Sequence, residues 1–229
     1  MKNESCDLAS CFLCQHCTAD WKDLVAVKKR TIHFRKGELI FQEGEKMRGF
    51  FFLTSGAVKL HKEWGDQKEL IIRFAKGGDI LGHRGFALAD VYPVSATALL
   101  PATACFISLD FMEATLRTDH GFTQKLLRFY AGELQKAELR MRNLALMEVK
   151  GRVAEALLEL QQYFGTNEEG AIAISITRQD ISAYAGTTYE TVFKLLRSFS
   201  AEGWISSTGK QFTIHAPEKL SMLMEESKV

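Results

Sequence analysis

No stretch of this 229-residue chain approaches the roughly 18 consecutive apolar residues that a membrane-spanning helix needs. The opening residues, Met1-Lys2-Asn3-Glu4-Ser5-Cys6, lack the apolar core of a secretion signal, so a cytoplasmic chain with no membrane partner is expected. A charge excess is missing too: 29 Lys and Arg stand against 28 Asp and Glu, for a net charge of +1. From Glu148 to Val229 the balance is slightly acidic, 8 Lys and Arg against 11 Asp and Glu. A broad basic surface is therefore excluded. Any affinity for nucleic acid must come from a few positioned cations, doubled by dimerisation. There is no Walker-type phosphate loop, no HExxH motif and no nucleophile–base grouping, so an enzyme is not expected. Internal repeats and low-complexity segments are absent as well.

What is present is the composition of an ordinary soluble protein, 46% hydrophobic and 25% charged, in a chain long enough for two modest domains. Cysteine is unevenly spread. Of five, four crowd the first seventeen residues: Cys6, Cys11, Cys14 and Cys17. Without a secretion signal, such a cluster points to metal binding or redox sensing rather than to structural disulfides. Cys11-x-x-Cys14-x-x-Cys17 places three thiols within one loop, close enough to share a soft metal centre.

After a short helical stretch near Trp21 to Val27, residues Thr31 to Leu109 show short apolar runs broken by turn residues. Lys36-Gly37-Glu38, Ser55-Gly56, Trp64-Gly65-Asp66 and Lys76-Gly77-Gly78-Asp79 mark the breaks. Strands at this spacing suggest an antiparallel barrel or jelly roll. The period then lengthens to three or four: Phe122, Leu126, Tyr130, Leu134, Ala137, Met141 and Leu144 form an apolar seam along a helix. A narrow seam on a long helix favours pairing with a second copy, with Leu126, Tyr130, Leu134, Ala137, Met141 and Leu144 at the interface; packing within one chain is the competing reading. Expected boundaries are a cysteine-rich sensor segment at 1–20, a β-roll at 21–118, the dimerisation helix at 119–147 and a DNA-binding domain at 148–229. The fold class is α+β.

The segment Ile176 to Ile214 carries the strongest functional signal. Thr177-Arg178-Gln179-Asp180 has the form of a capping box opening a short helix. Ala185-Gly186-Thr187 is a tight turn, with Gly186 suited to the left-handed conformation. A second helix runs from about Thr188 to Ser200, with Val192, Leu195, Leu196 and Phe199 facing inward. Trp204-Ile205-Ser206 and Phe212-Thr213-Ile214 then alternate around Thr208-Gly209-Lys210 as a hairpin. The whole is a winged helix-turn-helix, whose second helix can enter a major groove. Thr188, Tyr189, Glu190 and Lys194 lie near its N-terminal end, where a carboxylate can accept from cytosine N4 and an ammonium can donate to guanine or phosphate. Arg178, Arg197 and Lys210 complete the candidate DNA contacts. As an exposed ion pair, Glu190 and Lys194 would be worth only about 0.3–0.5 kcal/mol; the helix-turn-helix setting favours a reading role.

The run Ile176-Thr177-Arg178-Gln179-Asp180-Ile181, then Gly186-Thr187-Thr188-Tyr189-Glu190-Thr191-Val192, Leu195-Leu196 and Gly203-Trp204-Ile205, resembles the helix-turn-helix of the Crp/Fnr family. The β region and long helix resemble that family's sensor domain and dimer helix. The resemblance implies a cyclic-nucleotide-binding-like jelly roll, a homodimer on palindromic double-stranded DNA, and contact with RNA polymerase. It also implies that Glu190 reads bases. An arginine usually stands where this chain has Lys194, and lysine lacks arginine's planar fork. The cyclic-nucleotide branch carries a phosphate-binding Gly-Glu and a downstream Arg-Ser or Arg-Thr. This chain reads Gly82-His83-Arg84 and Pro93-Val94-Ser95 there, so cAMP is not its expected ligand. The Fnr branch instead has an N-terminal cysteine group and one internal cysteine. Cys105 resembles that distal ligand, which implies an iron–sulfur cluster of the 4Fe–4S type on Cys11, Cys14, Cys17 and Cys105, with Cys6 as substitute, responding to oxygen or nitric oxide. Zinc, a thiol–disulfide switch, haem held through His33, His61, His83 or His120, or a small ligand in the β-roll stand as alternatives.

Overall fold

The computed structural model describes residues 11–65, 68–87 and 90–226, so Cys6 lies outside the described residues. Two compact units divide the chain. One is built on the residues up to Glu63 with Ile72–Glu133, the other on Trp64–Ile71 with the residues from Leu134 onward.

The first unit opens with two helices, α1 (Phe12–His16) and α2 (Ala19–Lys28). Where the cysteine spacing suggested a loop, Cys11, Cys14 and Cys17 therefore bracket a helical turn: Cys11 is the N-cap, Cys14 lies inside and Cys17 is the C-cap. Eight strands follow: β1 (Arg30–Phe34), β2 (Leu39–Phe41), β3 (Gly49–Ser55), β4 (Ala57–Trp64), β5 (Lys68–Lys76), β6 (Ile80–Leu81), β7 (Ser95–Ala98) and β8 (Ala102–Ser108). They form two four-stranded sheets, ordered β1-β8-β3-β6 and β2-β7-β4-β5, the jelly-roll arrangement expected from the sequence. The sheets close on rings. Phe41 of the second sheet packs on Phe51 of the first at 5.6 Å and stacks on Tyr92 at 4.1 Å, while Phe51 meets Phe106 at 4.9 Å. Each fully buried ring contributes about 1.5–3 kcal/mol from burial, and a good ring pair adds roughly 0.5–1.5 kcal/mol. Gly56 makes the β3–β4 turn at φ +89, where a Cβ would stand 2.4 Å from the Pro101 carbonyl. That position demands glycine.

Side chains alternate across a strand, which fixes where Cys105 points. Phe51 pairs with Phe106 and Phe52 with Cys105. Since Phe51 and Phe106 face the inter-sheet core, Phe52 and Cys105 face the outer side of the first sheet. Two helices follow the strands: α3 (Leu109–Thr118), unforeseen in the sequence, and the long α4 (His120–Leu146), which the apolar seam foretold. The 27 residues of α4 make it about 40 Å long.

In the second unit, α5 (Val149–Phe164) and α6 (Arg178–Ala185) precede α7 (Tyr189–Ala201), then β9 (Ile205–Thr208), β10 (Gln211–Ile214) and a final α8 (Pro217–Glu226) not anticipated from the sequence. The capping box is as expected. Thr177 Oγ1 accepts from the Asp180 N–H at 3.0 Å, and the Thr177 N–H donates to Asp180 Oδ2 at 3.3 Å. Gly186 takes φ +61 between α6 and α7, and β9 pairs with β10 as the wing hairpin. Among the described residues, no helix is long and apolar enough to cross a membrane.

Candidate functional site

Cys11, Cys14, Cys17 and Cys105 are all buried thiols, and all belong to the hydrophobic core of the first unit. The N-terminal three are held there by neighbours most of which the sequence reading did not name. Phe12 sets its ring 6.0 Å from Phe122 and 5.5 Å from Phe129, both on α4. One residue after Cys17, Thr18 donates through its N–H at 2.8 Å and its hydroxyl at 3.1 Å to Asp119 Oδ2. The other Asp119 oxygen accepts from the Phe122 N–H at 2.9 Å, capping α4. Partial burial pushes the Asp119 carboxyl up, but these donors outweigh it and hold the group below the usual carboxylate range. Trp21 donates to Thr115 Oγ1 at 2.9 Å and stacks on Phe111 at 5.8 Å. The cysteine segment is thus tied to α3 and to the first turn of α4.

Burial, with the Asp119 carboxylate next and Cys11 after it, pushes the Cys17 thiol up to about 12. Within the folded unit that sulfur is a neutral thiol unless a cation compensates it. Among the described residues, no three cysteine sulfurs lie within 4.8 Å of one another. Four sulfurs around a single zinc at the usual 2.3 Å would stand about 3.8 Å apart.

Beside these, α4 carries a buried carboxylate, Glu133, that gathers two guanidinium groups and a neutral imidazole from the β-roll. Arg84 Nη2 lies at 3.3 Å, Arg73 Nε at 3.5 Å and His83 Nε2 at 3.9 Å. Tyr130 donates to the His83 carbonyl at 2.5 Å. Burial, and then Arg73, lower the His83 imidazole to about 3, so it is neutral at physiological pH. Of the other histidines considered as haem ligands, His33 bonds Thr103 and His61 bonds Thr97.

The apolar seam on α4 divides between two roles. Phe122 and Leu126 are buried in the first unit's own core, Tyr130 is half-buried through its bond to His83, and Leu144 is half-buried. Leu134 and Met141 are 61% and 67% exposed, Ala137 is exposed, and Leu127, which the sequence reading passed over, is 69% exposed. Leu127, Leu134 and Met141 recur every seven residues, the heptad spacing of a paired helix.

In the second unit, Arg140 anchors α4 to the helix-turn-helix. Its guanidinium lies 3.9 Å over the Tyr184 ring, donates to the Tyr184 carbonyl and meets Glu155 at 3.3 Å. Asn143 donates to the second oxygen of Glu155, and Tyr184 donates to Glu159. On α7, Thr188 is the N-cap, accepting from the Thr191 N–H at 3.3 Å. Val192, Leu196 and Phe199 are buried, whereas Thr188, Tyr189, Glu190, Phe193, Lys194 and Arg197 are exposed. Lys210 is exposed at the hairpin turn. Arg178 is half-buried and engaged with the wing: it reaches Ser207 Oγ at 3.3 Å and the Gly209 carbonyl at 3.4 Å, over the Phe212 ring. Phe193 escaped the sequence reading, although its four-residue spacing from Tyr189 was visible there.

Residues 31–119 match the cyclic nucleotide-binding domain, and residues 151–223 match the Crp-like helix-turn-helix domain. The chain is 30% identical, over 83% of its length and 86% of the relative's, to the CRP-like cAMP-activated global transcriptional regulator of Mycobacterium tuberculosis. It is 27% identical to the electron transport regulator A of Shewanella oneidensis, covering 92% of this chain and 84% of that one. Among solved structures it is similar to FixK2 from Bradyrhizobium japonicum, at 27% identity and a TM-score of 0.76, over 85% of this chain and 96% of that one. Jelly roll, long helix and winged helix-turn-helix, in that order and at that level of identity, make this chain a member of the Crp/Fnr family of DNA-binding transcription regulators.

Proposed function

We propose that this regulator works as a homodimer on palindromic DNA and senses oxygen, nitric oxide or redox state through a 4Fe–4S cluster held by Cys11, Cys14, Cys17 and Cys105. The observation that carries the reading is the burial of all four thiols in one core, with the N-terminal three tied to the start of α4. The donor set fits the group. Four soft sulfur donors suit an iron–sulfur centre. Cys6 remains the substitute ligand outside the described residues. When bound, the cluster supplies a metal centre that oxidants can dismantle.

The chain's own residues supply the rest of the scheme. Thr18 and Trp21 fasten the cysteine segment to Asp119 and Thr115, so an ordered segment steadies the α4 N-terminus. Leu127, Leu134 and Met141 are the exposed seam on which a second α4 would pair. Pairing sets two α7 helices about one DNA turn apart, each presenting Glu190 and Lys194 to a half-site. The bound dimer then meets RNA polymerase.

The matched cyclic nucleotide-binding domain and the cAMP-activated relative favour a second reading, with a nucleotide in the β-roll. Against it, buried His83 stands where that branch has its glutamate, Val94-Ser95 replaces the arginine pair, and Phe41, Phe51, Phe106 and Tyr92 pack between the sheets. Anaerobic purification separates the two. Brown protein containing iron and sulfide, which bleaches in air and loses operator binding, supports the cluster. Colourless protein whose operator binding needs added cAMP overturns it.

A further inference from the structure

On α7, Tyr189 and Phe193 form a parallel aromatic pair on the open face, with ring centroids 6.3 Å apart at 19° and each residue 43% exposed. The helix needs neither ring for its core, since Val192, Leu196 and Phe199 already fill the buried stripe. Phe193 lies three residues after Glu190 and four before Arg197, so it shares their ridge. It is also within the first turn and a half of α7, beside Lys194. A large apolar ring set among charges on the leading end of a groove-entering helix is costly to leave in water. The major groove offers one apolar group to meet it: the thymine C5-methyl.

We infer that Tyr189 and Phe193 make a methyl-reading pair, so that the half-site carries a thymine next to the C·G pair addressed by Glu190 and Lys194. Residues three apart on a helix share a face and lie about 4.5 Å apart along its axis, so Glu190 and Phe193 are near enough to reach neighbouring base pairs. The inference rests on the proposal that α7 is the reading head, and it adds a specificity which the charged residues alone do not provide.

The test uses full-length protein prepared anaerobically. A half-site is selected from a randomised palindromic duplex pool, and each selected thymine is then replaced by deoxyuridine, which removes only the methyl. One such replacement in one half-site is expected to weaken wild-type binding about fourfold, the equivalent of roughly 0.8 kcal/mol for one buried methyl-sized group. Replacement in both half-sites is expected to weaken it by about fifteenfold. The Phe193→Ala variant should bind thymine and deoxyuridine duplexes equally, and Phe193→Leu should keep part of the discrimination. Unchanged thermal midpoints would show that the exposed substitutions leave the fold intact. Wild-type protein indifferent to every thymine methyl, or Phe193→Ala with full discrimination, overturns the inference. If Glu190→Ala and Lys194→Ala leave affinity and selected sequence unchanged, the reading-head proposal itself falls, whatever the methyl result.

Discussion

In the first unit, Cys11, Cys14, Cys17 and Cys105 are buried in a packed core, whereas on α7 the groups proposed to meet DNA, Tyr189, Glu190, Phe193, Lys194 and Arg197, stand in solvent. The two regions do their work under opposite constraints. A buried thiol must be matched by its surroundings, so ligand, packing and hydrogen bonds at Thr18 and Trp21 are one structure. Changing one disturbs the others. An exposed reading residue has no such debts. Its substitution should alter affinity and specificity while leaving stability nearly unchanged. Along the chain between these residues, α4 carries buried ionic anchors of its own, Glu133 in the first unit and Arg140 in the second, and these set the scale of the predicted effects.

The largest effect is expected at Arg140. Removing one partner of a buried ion pair typically costs about 3–5 kcal/mol, because the other charge is left unmatched. Arg140→Ala strands Glu155, whose carboxyl burial and Glu159 already push up, and removes the bonds to Tyr184. Denaturant unfolding should show a loss of that order. A loss below about 1 kcal/mol would mean that the reading unit does not depend on this anchor.

His83 gives the next effect, one that depends on pH. In the fold its imidazole protonates only near 3, against 6.5 when unfolded. Between those values the unfolded chain binds more protons, so stability falls as the pH drops from 6.5 toward 3, by at most about 1.4 kcal/mol per unit. His83→Gln should flatten this slope in unfolding measurements between pH 6.5 and 4.5. An unchanged slope would show that His83 is not the group responsible.

These anchors also mark where the sequence stopped being readable. The capping box at Thr177 and Asp180 and the turn at Gly186 are local, so spacing alone revealed them. The jelly roll was legible from turn residues at regular intervals. By contrast, the outward facing of Cys105 follows from its register with Phe52, a long-range pairing; only family resemblance singled it out. Glu133 and Arg140 looked like ordinary charges on an amphipathic helix, because their partners come from β5, the 3₁₀ turn His83–Gly85, α5 and α6. The seam divides between two roles for a related reason. Leu126 and Leu127 both lie three or four residues before Tyr130, and packing against the β-roll decides which of them is buried.

Smaller effects sharpen the contrast. Gly186 sits at φ +61, and an added Cβ would meet Leu144 Cδ2 at 2.9 Å. Gly186→Ala should cost about 1–2 kcal/mol in thermal or denaturant unfolding, from the left-handed conformation alone. The smallest stability change belongs to Glu190→Ala, within about 0.5 kcal/mol, even as affinity for the selected operator drops. If Glu190→Ala instead unfolds the second unit, the exposed face of α7 is structural and the contrast between the two ends fails.

In the proposed sensor, a strand cysteine on the outer face of the β-roll completes a cluster begun by the N-terminal helix. Iron and acid-labile sulfide per chain, measured under anaerobic conditions in wild-type protein and in Cys105→Ser, test it most directly. Wild-type protein should hold about four of each, and Cys105→Ser should lose them while keeping the fold. Iron-free wild-type protein, or a Cys105→Ser variant with its full complement of iron and sulfide, would contradict the account.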